Sequence, residues 1–244
     1  MDRLIGIHAV EEALRAGRAV DHVLVARGAS NPRVQRLVDQ CRRAGVPLRF
    51  EPREALDRAA GSAGHQGVVA RTAAHRYRDL EDVIAPDGEP SLLVLLDGVE
   101  DPHNLGAIIR SACAAGAGAV VLPERRSAGL TETVAKAAAG ALEYLPIARA
   151  TNLNRALEIL KERNYWIFGL DERGEKSYDA ADYRGRAVIV LGGEGKGLHQ
   201  LVARHCDVLV KIPVAGPIPS LNVSVAAGIV LFEALRQRRG TMVS

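Results

Sequence analysis

Three short stretches hold the residues best suited to chemistry. In the first, DGVEDPHNLGAIIR at 97–110, Asp101-Pro102 signals a turn, Asn104 opens a helix and Arg110 follows six residues on. Arg110 is flanked by Ile108, Ile109 and Ala112, so its charge needs a ligand or a partner. Asn104 lies nearly two helical turns away on a similar side, which favours a ligand. Pairing with a buried acid such as Asp97 is the structural alternative. The second stretch, LGGEGKGL at 191–198, is neither a Walker A loop nor a dinucleotide fingerprint. Its glycines, Gly192, Gly193, Gly195 and Gly197, imply a backbone that something approaches closely. Taken alone, Glu194 and Lys196 read as solvated. In the third stretch, Pro213, Pro217 and Pro219 stiffen a turn that leads to Ser220 and Asn222. Ser220 is the expected N-cap, with Leu221, Asn222 and Val223 as the first helical turn. The apolar residues around Asn222 predict a buried amide with a partner. Free N–H groups at such a helix start suit a phosphate or carboxylate.

The elements that must position these groups follow from periodicity and punctuation. Residues 1–73 read as a small α/β module: helix 7–16, strand 22–26, a helix opened by Asn31-Pro32 and stopped at Gly45, strand 47–51, helix 53–60 and strand 68–72. His65-Gln66-Gly67, just before the last strand, reads as turn chemistry rather than a site. Residues 74–90, with Pro86, Gly88 and Pro90 and little periodicity, are the expected linker. From residue 91 the alternation restarts. SLLVLLDG is a near-continuous apolar strand of the kind buried on both faces of a parallel sheet. Helix 104–116, strand 119–123, helix 131–145, strand 146–150, helix 152–163 and strands 165–171 and 187–192 follow. A short helix from 198, strand 208–214 and a final helix complete the chain. This order predicts a parallel sheet with helices on both faces and a ligand site at the carboxyl ends of the strands. The three polar stretches fall at such ends.

Composition sets the class. With 48% hydrophobic and 25% charged residues, the 244-residue chain is of ordinary globular type. No apolar run reaches the length of a membrane span, and no signal pattern opens the sequence. Cys41, Cys113 and Cys206 are widely spaced and lack CxxC pairing. They read as reduced thiols of a cytoplasmic protein, not as a disulfide framework or a metal site. The net charge of +3 is uneven: residues 1–80 hold fourteen basic groups, all arginine, against nine acidic ones. Arginine grips phosphate and stacks on bases, which suggests a nucleic-acid partner. The arginine bias of the whole chain, with five lysines in total, is the compositional alternative.

Taken together, the motifs resemble the three-motif signature of the SpoU (TrmH-type) RNA ribose 2′-O-methyltransferases: DxxxDPxNxGAIIRSA, then GxEGxGL, then IPxxGxxxSLNVSVA. GIHAV near the start and His65-Gln66-Gly67 are similar to the subgroup that methylates a guanosine ribose in 23S ribosomal RNA. The resemblance implies a knotted catalytic domain at 91–244, with a parallel sheet and a deep trefoil knot. It implies an L30e-like RNA-binding domain at 1–73, and a homodimer whose sites are completed across subunits. It implies S-adenosylmethionine as methyl donor, held near Gly192, Gly193, Ile212 and Leu221, and no metal. Asn104, Arg110, Glu194, Ser220 and Asn222 would form the polar site. In that scheme Asn104 and Asn222 shape the site, Ser220 meets the nucleotide, and Glu194 fixes Arg110 or neighbouring backbone. Deprotonating a guanidinium near neutral pH costs roughly 7 kcal/mol. A cationic Arg110 that stabilises the developing alkoxide is therefore a workable alternative to a general base. Pro217 and Pro219 depart from the small polar residues common in the third motif. A transfer-RNA methyltransferase and a non-catalytic RNA-binding or assembly protein on the same fold are the other readings. A nucleotide-dependent oxidoreductase lacks its glycine fingerprint.

Overall fold

The structure is a computed structural model that describes residues 2–29, 31–73, 75–193, 197–217 and 220–239. Its contacts divide the chain into two units: the chain as far as Arg76 together with Leu130–Tyr144, and Tyr77–Gly129 together with the chain from Leu145 on.

The first unit runs β1 (Asp2–Ile5), α1 (Ile7–Arg15), β2 (Val20–Ala26), α2 (Pro32–Arg43), β3 (Leu48–Glu51), α3 (Arg53–Ala60) and β4 (Val68–Thr72). The sheet order is β1-β4-β2-β3, with β4 antiparallel to both neighbours and β2 parallel to β3. Val10, Ala13, Leu37, Val38 and Cys41 pack on one face, against Val23 and Val25. Leu56 and Ala60 of α3 cover Ala26 and Val69 on the other. The Asn31 side chain accepts a hydrogen bond from Arg33 N at 2.9 Å, with Pro32 in the first turn, as the sequence pattern predicts. β1 is absent from the sequence expectation because its short run declares itself only by pairing with β4. His65-Gln66-Gly67 is a structural turn. His65 is fully buried, its Nδ1 accepts from Gly67 N, and its Nε2 lies 3.0 Å from Asp57 Oδ1. Gln66, with φ at 53°, accepts from Ile7 N and so supplies the bond that Gly6, lacking a side chain, cannot give to the start of α1.

The second unit takes in β5 (Leu92–Asp97), α4 (Pro102–Ala114) and β6 (Ala119–Pro123). The chain then contributes α5 (Glu132–Ala138) to the first unit before continuing in the second. There it forms β7 (Ile147–Ala150), α6 (Leu153–Glu162), β8 (Trp166–Leu170), β9 (Lys176–Ser177), β10 (Ala187–Gly192), α7 (Gln200–His205), β11 (Val208–Lys211) and α8 (Val223–Arg239). The seven strands run β7-β6-β5-β10-β8-β11-β9, every pairing parallel. β5 and β10 are buried along their whole length, which accounts for their unbroken apolar sequence. On one face, Leu93, Leu95, Val188 and Val190 pack with Leu153, Leu157 and Leu160 of α6 and Val202 of α7. The alternate residues, Leu92, Val94, Leu96, Ile189 and Leu191, are also buried and point to the other face. There α4 contacts β6, α8 contacts β10, and the two helices pack on each other.

Two expectations change. The segment 77–90, read as a linker, packs on the second unit: Leu80 is buried in its core with Val83 and Ile84 against it, and Arg78 bridges to Ala148. The helix expected over 131–145 ends at Ala138, because Ala139 and Gly140 turn left-handed at φ 49° and 91°. Any Cβ at Gly140 would meet Glu12 Cγ at 2.7 Å. Beside this break the Tyr144 hydroxyl donates to Glu12 Oε2 at 2.7 Å, and Arg18 pairs with Glu143 at 2.7 Å, both side chains nearly buried. These contacts belong to the first unit, so Leu130–Tyr144 groups with it although the sequence expectation put it in the second domain.

Candidate active site

Parallel register brings four strand ends to one edge of the larger sheet. Gly192 of β10 pairs with Asp97 of β5, Leu191 with Leu170 of β8, and Leu170 in turn with Val210 of β11. Beyond these ends lies a cleft of about 560 Å³, lined by Leu170–Arg173, Leu191–Gly193, Gly197, Ile212, Val214, Ser220–Val223 and Ala226. Ligand sites in parallel α/β sheets lie at this edge, and the volume is within the range of small-molecule sites. Two of the three motif stretches thus supply walls of one cleft, including Gly192, Gly193, Ile212, Ser220, Leu221 and Asn222. The glycines are obligatory for steric reasons. A Cβ on Gly192 would overlap the Gly197 backbone, and one on Gly193 would overlap the Gly98 carbonyl. The second motif's loop is therefore pressed against the end of the first motif's strand, backbone on backbone. Glu194 and Lys196 lie outside the described residues.

The first motif meets the third through a side-chain bond. Asn222 Nδ2 donates to Asn104 Oδ1 at 3.0 Å. α4 starts at Pro102 rather than Asn104, with the Asp101 carboxylate accepting from His103 N at 2.7 Å as N-cap. That start places Asn104 in the interior, where its amide is buried and aligned toward α8. Arg110 is elsewhere. Six residues along a helix is a rotation of about 240°, so Arg110 emerges on the exposed side of α4, not on a side shared with Asn104. It makes no hydrogen bond or ion pair with any described residue, and Asp97 is not its partner. The Asp97 carboxylate instead takes His199 N at 2.8 Å and faces His199 Nδ1 at 2.9 Å.

The helix start after the proline turn also differs from expectation. α8 begins at Val223, and Asn222 rather than Ser220 caps it: Asn222 Oδ1 accepts from Ser224 N at 2.9 Å, Ser224 Oγ at 2.6 Å and Val225 N at 3.3 Å. Asn222 is exposed, not buried, because its amide works at the rim of the cleft. Since that oxygen already serves two N–H groups of the first turn, the helix start offers a ligand less than a bare N-terminus would. Ser220, exposed in the wall, is left available to an incoming group.

One wall was not signalled by the motifs. Asp171, at the end of β8, is buried; its Oδ1 and Oδ2 take Arg173 Nε and Arg173 Nη2, each at 2.7 Å. Oδ2 also accepts from Leu198 N at 3.3 Å, and Arg173 Nη2 reaches Leu198 O at 3.3 Å. The hydrogen bonds from the Arg173 side chain, helped by the N–H groups of Arg173 and Leu198 and opposed by burial, hold the Asp171 carboxyl below the usual range. This clamp ties the loop after β8 to the loop after β10. Its only sequence signal is an acid closing an apolar strand, as Asp97 closes β5. None of the three cysteines lines this cleft, and burial pushes the Cys206 thiol up to about 12 and raises those of Cys41 and Cys113.

Comparison with known proteins gives this arrangement a context. The model of the SpoU rRNA Methylase family matches residues 91–232, and that of the RNA 2′-O ribose methyltransferase substrate-binding family matches residues 3–78. The chain is 46% identical over 239 residues to the 23S rRNA (guanosine-2′-O-)-methyltransferase RlmB of Xylella fastidiosa, covering 96% of each chain. It is 44% identical over 241 residues to the RlmB of Escherichia coli, covering 97% of this chain and 99% of that one. Among solved structures, the SpoU methyltransferase AviRb from Streptomyces viridochromogenes in complex with AdoMet superposes with a TM-score of 0.83 at 26% identity, over 98% of this chain and 90% of that one.

Proposed function

The chain belongs to the SpoU rRNA methylase family, and on that premise we propose that it methylates the ribose 2′-OH of a guanosine in 23S ribosomal RNA, with S-adenosylmethionine as donor. The observation that carries the reading is the cleft at the strand ends, walled by the glycine loop and the proline turn and joined to the first motif by the Asn104–Asn222 bond. Its chemistry suits the donor. Leu170, Leu191, Ile212, Val214 and Leu221 offer an apolar bed for a nucleobase, and the backbones of Gly192, Gly193 and Gly197 line the same cleft. With Asp171 paired to Arg173, Glu172 leaves one carboxylate in the lining, in keeping with a cationic ligand. When bound, the donor supplies an activated methyl group on a sulfonium.

The chain's own residues then have separable tasks. Asn104 and Asn222 hold the first and third motifs in register. Ser220 meets the nucleotide, and Glu194 fixes Arg110 or the backbone beside it. Arg110, exposed and unpaired among the described residues, stabilises the alkoxide as the hydroxyl proton leaves to a phosphate oxygen or water. Residues 1–73 act as an L30e-like RNA-binding domain. The second unit carries a deep trefoil knot, with the proline turn as its threaded segment. A homodimer completes each site. In its favour, Val225 and Phe232 lie seven residues apart on α8 and expose 52% and 50% of their surface, an apolar face suited to a second copy. Work on ribosomal RNA makes the protein cytoplasmic.

Incubation with radiolabelled donor and unmodified 23S or transfer RNA tests the proposal. Label in 23S RNA, recovered as 2′-O-methylguanosine, is expected. Label in transfer RNA alone would redirect the substrate assignment, and label in neither would remove the enzymatic reading.

A further inference from the structure

Phe50 is the only phenylalanine, tyrosine or tryptophan in residues 1–76. A small α/β core ordinarily recruits such rings, because they bury more apolar area than any other side chain. Here the core of valines, leucines and alanines closes without one, and Phe50 keeps 44% of its surface exposed. Its partner across the ladder, Val25, is buried, and Leu48, two residues earlier on the same face, packs against the core. Phe50 thus leaves the core at the end of β3, which is an edge strand of its sheet.

A single exposed ring means little by itself. What distinguishes this one is its company. Arg27, just past the end of β2, is tied to the same strand end: its backbone N–H donates to Glu51 O at 2.8 Å and its Nε to Phe50 O at 3.0 Å. Arg53, three residues on, is exposed, and its side chain makes no hydrogen bond or ion pair with any described residue; Arg49, next to Phe50 in the strand, points to the opposite face. An exposed apolar ring on an edge strand, with the exposed Arg27 tied to the same strand end and Arg53 three residues on, is the chemistry that holds an unpaired base and its phosphates.

We infer that Phe50 is a stacking platform for an unpaired base of the RNA substrate, with Arg27 and Arg53 meeting the adjoining phosphates. The inference rests on the proposal that RNA is the substrate. A base stacked on an aromatic ring is worth about 1–3 kcal/mol, so its loss weakens binding by about tenfold or more.

The test uses the full chain and a fragment of 23S RNA. Phe50→Ala is expected to raise the RNA dissociation constant and the KM for RNA about tenfold, with kcat and donor affinity unchanged. The ring's exposure lets the variant fold, which circular dichroism checks. In a Trp166→Phe background, Phe50→Trp is expected to restore binding, its fluorescence quenched as RNA is added. Phe50→Ala binding RNA like the parent, or an unquenched Trp in a variant that does bind, overturns the inference. A parent chain that binds no RNA at all would bring down the proposed function and this inference together, whereas the first two results spare the function.

Discussion

The two units use buried polar groups in opposite ways. In the first, His65 is buried to shape a turn, and, the nearly buried Arg18–Glu143 pair aside, most of the arginines lie at the surface. In the second, Asp97, Asn104 and Asp171 are buried at or just beyond strand ends and bonded across to other segments: Asp97 to His199 and Asp171 to Leu198, both in the loop after β10, and Asn104 to Asn222. A buried polar group is tolerated only when satisfied. Satisfying three of them at one edge of a sheet fixes the loops there to within hydrogen-bond tolerance. The second unit is built to hold a geometry, and the first to present a surface.

The sharpest way to break that contrast is to move backbone at the strand ends. Gly193→Ala pushes a Cβ into the Gly98 carbonyl, and misplacement on the scale of 1 Å lowers activity on the order of 100-fold. Gly185→Ala, where nothing lies within 4 Å of the added atom, is the control and leaves activity unchanged. Methyl transfer and donor titration calorimetry read both. Arg110→Ala follows, with a loss of about 100-fold in kcat if the guanidinium stabilises developing charge. Arg110→Lys should then keep part of the activity; an inactive, folded, donor-binding lysine variant would favour the general-base role.

Smaller effects sharpen the contrast. Asn222→Ala removes a helix cap worth about 1 kcal/mol together with the bond to Asn104. A fall in Tm of about 2–4 °C, with a larger proportional loss of turnover, is the expected result. Asp171→Asn tests the clamp through pH. The folded carboxyl titrates below its unfolded value, so its contribution is present above the ordinary carboxylate range and is lost as pH falls through the depressed folded value. The variant should melt below the parent at neutral pH and approach it in acid. A gap that holds constant down to strong acid would mean that Asp171 acts through shape alone.

Much of this was legible in the chain because the relevant physics is local. Asn31-Pro32, the left-handed turn at Gly67 and the apolar runs of β5 and β10 announce their structures over a few residues. What escaped depends on partners distant in sequence. Asn222 reads as a core amide from its apolar neighbours, yet only its bond to Asn104 and its cap to Ser224 explain why it sits at the rim. Arg110 reads as buried from Ile108 and Ile109, but a helix face is set by rotation, and the side that buries Leu105, Ile108, Ile109 and Ala112 leaves Arg110 outward. α5 stops short because Gly140 lies against Glu12, a contact no window of sequence contains. Asp171 carried no motif, and register alone brings it beside Gly197 and Leu198.

A crystal structure with S-adenosylhomocysteine bound tests the account most directly. The product is expected between the glycine loop and the proline turn, its base against Leu170, Ile212 and Leu221 and its backbone contacts on Gly192 and Gly193. Density for the ligand at any other surface, with this cleft left to solvent, would contradict it.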